Sequence, residues 1–155
     1  MKIAVIGIGQ SLRGDDAAGL EAIRQWQETF PATANRSEIR VEACELPGLA
    51  LIDLIQDADA AIIIDAVKSS AKPGTIHCLH EKELSAFSSD AKSAHGWGVA
   101  ETLALSHQLN QNLPPIRIIG IEADQMTMGA SMSKSIQDAI PLACEAIERE
   151  VKSLL

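Results

Sequence analysis

Residues 3–19 read IAVIGIGQSLRGDDAAG, an apolar β-branched run, a glycine-rich turn and a pair of adjacent aspartates. IAVIGIG (3–9) is closed by glycines and reads as a buried first strand. From Asp15 or Asp16 to about Thr29, Ala17, Leu20, Ile23 and Trp26 recur at helical spacing, and Pro31 lies just past the end. Aspartate at such a start favours a helix through capping and the dipole. A strand that turns on glycines into a helix usually holds a phosphate, but this turn does not fit that role. GxGxxG is met by Gly7 and Gly9 while its third position is Leu12, and no Gly-Lys-Ser/Thr follows. Asp15 and Asp16 would repel an anion from the helix N-terminus. The turn reads as a holder of carboxylates.

The same alternation continues outward. Arg40 to Cys44 reads as a second strand, followed by the turn ELPG, and Leu49 to Ile55 as a short helix. AAIIIDAV, Ala60 to Val67, is apolar on both faces, as a central parallel strand should be. KPG at 72–74 is a turn, TIHCLH (75–80) a fourth strand, and the serine-rich segment Glu81 to Ala94 a loop. Gly98 to Leu109 has helical periodicity, and IRIIGIEA (116–123) is a fifth strand after Pro114-Pro115. A loop, MTMGASM, leads to a last helix over Ser133 to Leu154 with Ile136, Ile140, Ala143, Ile147 and Val151 as its stripe. Strands alternating with helices predict a three-layer α/β/α sandwich around a mostly parallel five-stranded sheet, with residues 1–155 as one domain.

Composition narrows the function classes. With 46% apolar and 22% charged residues the chain has the makings of a globular core. A net charge of −8 without any basic run argues against nucleic acid or an anionic membrane as partner. A metal ion or a basic peptide suits this surface better. Cys44, Cys78 and Cys144 form no CxxC pair and read as buried, reduced thiols. No apolar stretch reaches membrane-spanning length and the N-terminal run is too short for a signal-peptide core, so a cytoplasmic location is expected.

In this architecture ligands bind beyond the carboxyl ends of the strands. Asp15 and Asp16 follow strand one, Asp65 ends the most apolar strand, and His95 precedes a helix, so all are expected at one edge. Such an oxygen–oxygen–nitrogen set suits a borderline divalent ion such as nickel or zinc, with positions left for substrate or water. Bland roles compete: an N-cap for Asp15 or Asp16, loop N–H groups for Asp65, a helix cap or a backbone carbonyl for His95. His77 and His80 point to opposite faces of their strand, Cys78 with His80 makes only a two-ligand pair, and His107 is isolated in a helix. These three histidines read as structural or surface residues.

GIGQSLRGDDAAG, IIIDAV and HGWGVAETLAL, in that order, resemble the nickel–iron hydrogenase maturation endopeptidases across essentially the whole chain. ELPG, KPGT and GASMSKSIQDAI resemble the family's connecting loops and C-terminal end. Gln10 stands where the family usually has asparagine, and Asp16 where some members have glutamate. The resemblance implies an enzyme that trims a C-terminal extension from a hydrogenase large-subunit precursor after nickel insertion. It implies Asp16, Asp65 and His95 as metal ligands and catalytic residues, with nickel carried by the substrate; another divalent metal at the same site is the alternative. A metal there would polarise the scissile carbonyl or activate water, and Asp15 or Asp16 would serve as general base. Gly96, Trp97 and Gly98 would wall the peptide. The rival reading is a non-catalytic nickel-binding chaperone with the same ligands.

Overall fold

A computed structural model describes residues 1–45, 48–88, 92–93, 99–109 and 111–155. The strands are β1 (Ile3–Ile8), β2 (Ile39–Cys44), β3 (Ala60–Lys68), β4 (Ile76–His80), β5 (Lys92–Ser93) and β6 (Ile116–Glu122). The helices are α1 (Ala18–Thr29), α2 (Pro31–Ala34), α3 (Leu49–Gln56), α4 (Glu81–Ser88), α5 (Val99–Gln108) and α6 (Lys134–Leu154). A 3-10 turn, Gly14–Ala17, precedes α1.

Five strands form the expected sheet in the order β2-β1-β3-β6-β4. β1, β2, β3 and β6 run parallel, and β4 pairs antiparallel with β6 from Ile76↔Ile121 to His80↔Arg117. The two-residue β5 adds to β3 through Val67↔Ser93 and Lys68↔Lys92, beyond the point where β1 stops pairing at Gly7↔Ile64. β2 lies on one side of β1 and β3 on the other, so the chain changes direction across the sheet between β1 and β3. A crevice opens at such a switch point, at the carboxyl ends of the strands.

Both faces of the sheet are covered. Alternate residues Ile3, Val5, Ile62, Ile64, Ile119 and Ile121 pack with Ala22, Ile23 and Trp26 of α1 and the Ile136–Val151 stripe of α6. The intervening set, Ala4, Ile6, Ala61, Ile63 and Ile118, packs with Leu51 and Ile55 of α3, Leu84 of α4, and Val99 and Leu103 of α5. Burial on both faces is why AAIIID carries no polar alternation. No helix among the described residues is long and apolar enough to cross a membrane.

Two local expectations are corrected, the loop over Glu81 to Ala94 and the burial of Cys78. Residues 81–88 form helix α4 instead of loop, and residues 92–93 form β5. Glu81 and Glu83 sit in the first turn of α4, where the dipole favours them, and the buried Leu84 anchors it. Pro31 opens α2 at a position where its missing N–H costs no helical bond. Cys78 is exposed on the edge strand β4, whereas Cys44 and Cys144 are buried as expected.

A buried carboxylate ties the helical layer together. Trp26 Nε1 donates to Glu148 Oε2 at 3.0 Å and Thr33 Oγ1 to Oε1 at 2.7 Å, joining α1, α2 and α6. Lys152 Nζ lies 3.0 Å from Oε1. Burial pushes the Glu148 carboxyl up, but the contacts from Thr33, Lys152 and Trp26 outweigh it and hold the group below the usual glutamate range. Glu148→Leu strands two buried donors and is expected to cost about 2 kcal/mol in urea unfolding. A carboxylate held low in the fold stabilises above its unfolded value, about pH 4.3. That stability disappears as pH falls through the lower folded value, so the difference between wild type and Glu148→Gln should close in acid. A difference unchanged from pH 7 to pH 3 would contradict this role.

Candidate functional site

At the switch point the backbone packs unusually closely. Gly9 donates its N–H to Cys44 O at 3.2 Å, Arg13 to Gln10 O at 3.2 Å, and Asp16 to Arg13 O at 3.0 Å, which turns the chain into α1. A Cβ on Gly19 would lie 2.4 Å from both Ile8 O and Ile64 O. A Cβ on Gly9 would lie 2.1 Å from Asp16 O, and one on Gly7 2.6 Å from Gly19 O. The glycines of the motif therefore let the start of a helix settle on two strand ends, with no phosphate needed to explain them.

This packing places Asp16 in the 3-10 turn directly above the carboxyl end of β1, fully buried. Asp65 is also buried and lies one residue beyond Ile64, paired with Gly120 of β6. It shares a strand face with Ala61 and Ile63, the face covered by α3, α4 and α5. Asp65 does not end its strand as expected, since β3 runs on to Lys68; it stands just past the last β1–β3 pair, Gly7↔Ile64, while Asp16 lies in the turn that follows β1.

Asp15, the neighbour of Asp16, has a different task. Its Oδ2 accepts the N–H groups of Asp124 at 2.8 Å and Gln125 at 2.9 Å and the Ser133 hydroxyl at 2.5 Å. Its Oδ1 accepts Ser133 N–H at 2.7 Å. Burial pushes the Asp15 carboxyl up, but these bonds, led by those from Ser133, hold it below the ordinary aspartate range. Ser133 is the N-cap of α6, so Asp15 serves the start of α6 and not that of its own helix. The N-cap positions nearer by are Arg13 and Ala17, and neither uses a side-chain cap. With both oxygens committed, Asp15 is a poor general base, which corrects that option and leaves Asp16.

His95 and its neighbours Gly96, Trp97 and Gly98 lie outside the described residues. On either side of them, Ser93 pairs with Val67, two residues past Asp65, and Val99 begins α5 buried against the sheet. Among the described residues no group of three or more His, Cys, Asp or Glu side chains stands ready to hold a metal ion. The other histidines are elsewhere: His107 Nε2 is 2.5 Å from Glu81 Oε1, and His80 sits against Arg117 on the exposed edge strand. His77 Nε2 lies 3.1 Å from Glu122 Oε1.

Glu122 is the residue the sequence reading passed over. It is fully buried at the end of β6 and takes the Ser69 N–H at 2.7 Å together with the Ser69 hydroxyl, fixing the chain that leaves β3. A carboxylate ending an apolar strand, the signal that singled out Asp65, is equally present in IRIIGIE. The Cys144 thiol is pushed up to about 11, chiefly by burial, and donates toward Ala22 O at 3.5 Å, a packing role unsuited to a nucleophile.

A family model described as hydrogenase maturation protease matches residues 46–150. The hydrogenase expression/formation protein HupD of Thiocapsa roseopersicina is 28% identical over 146 residues, 93% of this chain and 65% of that protein. Among solved structures, the [NiFe] hydrogenase maturation protease HybD from Thermococcus kodakarensis superposes with a TM-score of 0.72 at 25% identity, covering 97% of this chain and 99% of that one. The E. coli hydrogenase maturating endopeptidase HybD gives a TM-score of 0.82 at 20% identity over 99% of this chain and 93% of that one, a likeness of fold. The chain spans about two thirds of the HupD relative's length.

The close approach at Gly19 makes a signed expectation. Glycine to alanine inside a helix ordinarily stabilises by about 1 kcal/mol. Here the new methyl meets two strand carbonyls, so Gly19→Ala should destabilise by on the order of 3 kcal/mol in urea unfolding. An equally stable or more stable variant would show that α1 does not sit on the strand ends in this way.

Proposed function

This chain belongs to the hydrogenase maturation protease family, a family of endopeptidases, and on that premise we propose that it removes the C-terminal extension of a nickel–iron hydrogenase large-subunit precursor once nickel is in place. The observation that supports the reading is the pair Asp16 and Asp65, buried carboxylates in the turn that follows β1 and in β3 just past its last pairing with β1, at the switch point of the sheet. His95 is the third member proposed, and the pairing of Ser93 with Val67 supports its delivery to the same edge. Two carboxylates with an imidazole form a donor set that fits nickel or another borderline divalent ion. In this reading the metal arrives with the precursor, as part of the substrate.

Metal held there supplies Lewis acidity to the scissile carbonyl or to the attacking water. The chain's own residues do the rest. Asp16 from the turn before α1 and Asp65 from β3 supply the oxygen donors that would meet a cationic group. A carboxylate oxygen not engaged by metal accepts the water proton as oxygen adds to the carbonyl carbon. The C–N bond then breaks, and the departing amine takes a proton from the carboxyl. Water enters and two peptides leave, with no net consumption of the side chains. Asp15 takes no part in these transfers.

Purified chain incubated with a nickel-loaded precursor should shorten it by a C-terminal peptide detectable by mass spectrometry. Asp16→Asn, Asp65→Asn and His95→Ala should each lower the cleavage rate by about 100-fold or more, as expected for loss of metal holding or proton transfer. Circular dichroism should show the variants folded. Binding of the nickel-loaded precursor with no shortening by the wild-type chain would favour a metal-binding chaperone and overturn the peptidase reading.

A further inference from the structure

Asp15 is spent on something other than chemistry, and its partners show what. Its four hydrogen bonds all reach into residues 124–133, the connection between β6 and α6. Backbone bonds reinforce the junction. Gly14 donates to Ala130 O at 3.1 Å, Asp15 to Gln125 O at 3.0 Å, and Gly129 to Leu12 O at 2.7 Å. Gly14 has φ +56° with Gln125 O only 3.0 Å from where a Cβ would sit, so a side chain there would be strained and crowded. The tips of two loops distant in sequence are thereby held as one unit.

That unit rises beside Asp16 and carries two large apolar side chains in solvent, Leu12 at 72% exposure and Met128 at 64%. Each sits next to the bond that joins the tips: Leu12 supplies the carbonyl, and Met128 precedes the donor Gly129. Met126 and Met132 of the same connection are partly buried and pack into the core beneath, so Met128 stays outward while its neighbours anchor the loop. Loop tips carrying function are expected on a rigid base, and a buried carboxylate with four donors supplies one.

We propose that Asp15 is a positioning residue for precursor binding, which holds residues 10–14 and 124–133 together so that Leu12 and Met128 meet an apolar segment of the precursor polypeptide as a preformed surface beside Asp16. This rests on the peptidase reading above. The surface adjoins the proposed site, the occupant is a polypeptide that must pass Asp16 to be cut, and pre-ordering of the two tips removes an entropy cost that binding would otherwise meet. The benefit appears in substrate capture, because neither apolar side chain lies among the reacting groups.

Steady-state cleavage of the nickel-loaded precursor by the full chain tests this. Leu12→Ser with Met128→Ser should raise KM about 10-fold with kcat within about twofold of wild type, the pattern of lost uniform binding. Asp15→Asn replaces an acceptor oxygen by an amide that faces donors, and should raise KM by a similar factor. Ser133→Ala, which removes one bond only, should raise it about threefold and covers the case in which Asp15→Asn does not fold. The decisive reading is the combination, since Asp15 is argued to act through the two apolar residues. Adding Leu12→Ser and Met128→Ser to Asp15→Asn, or to Ser133→Ala, should give less than the product of the separate effects. Unchanged KM in the Leu12→Ser, Met128→Ser variant, or full multiplication of the effects, would overturn the inference while wild-type cleavage stands. A wild-type chain that neither binds nor cleaves the precursor would instead remove the peptidase reading, and this inference with it.

Discussion

The contact between Gly19 and the carbonyls of Ile8 and Ile64 is the constraint from which the rest of the molecule can be followed. A side chain at that point would hold α1 off the sheet, because two backbone carbonyls 2.4 Å from the added Cβ cannot yield as a flexible side chain can. With α1 seated, Ala22, Ile23 and Trp26 reach the apolar floor made by Ile3, Val5, Ile62 and Ile64, and α6 closes over them. The same seating decides where the 3-10 turn lies, and hence that Asp16 is buried above the end of β1 and not displayed on a loop. Packing and site share one origin.

From that point two adjacent aspartates diverge. Successive residues in a tight turn project in different directions, so Asp15 reaches the start of α6 while Asp16 remains over the strand ends. A buried carboxylate is costly without partners, and Asp15 meets that demand with four donors from a segment more than a hundred residues away. Glu122 and Glu148 follow the same rule, one securing the chain that leaves β3, the other joining α1, α2 and α6. The acidic composition is therefore partly internal, and three of its carboxylates serve as junctions between elements.

How much of this was legible depended on whether a signal was local. β1, β3, α1 and α6 could be read from periodicity because their apolar residues repeat within a few positions. α4 was obscured because its composition is polar and serine-rich, and the one buried anchor described in it, Leu84, sets no period of its own. β5 is two residues long and exists only because β3 outruns β1. Asp16 and Asp65 could be picked out, since an acid in an otherwise apolar run or in a glycine turn is conspicuous. The distinct task of Asp15 could not, because its partners Asp124, Gln125 and Ser133 carry no mark linking them to residue 15. The exposure of Cys78 follows from the place of β4 at the sheet edge, which its local sequence does not mark.

By itself the sequence determined the α/β alternation, the central position of AAIIID and the glycine turn ahead of two acids, because each follows from side-chain volume and polarity over a handful of residues. Tertiary structure alone decided that β4 runs against β6, that the reversal of chain direction falls between β1 and β3, and that Asp15 anchors α6 while Asp16 lies over the end of β1. Those outcomes rest on approaches between segments far apart along the chain. The energy of such approaches comes largely from backbone N–H and C=O groups that every residue carries, and their pairing across the chain leaves no pattern in the order of side chains.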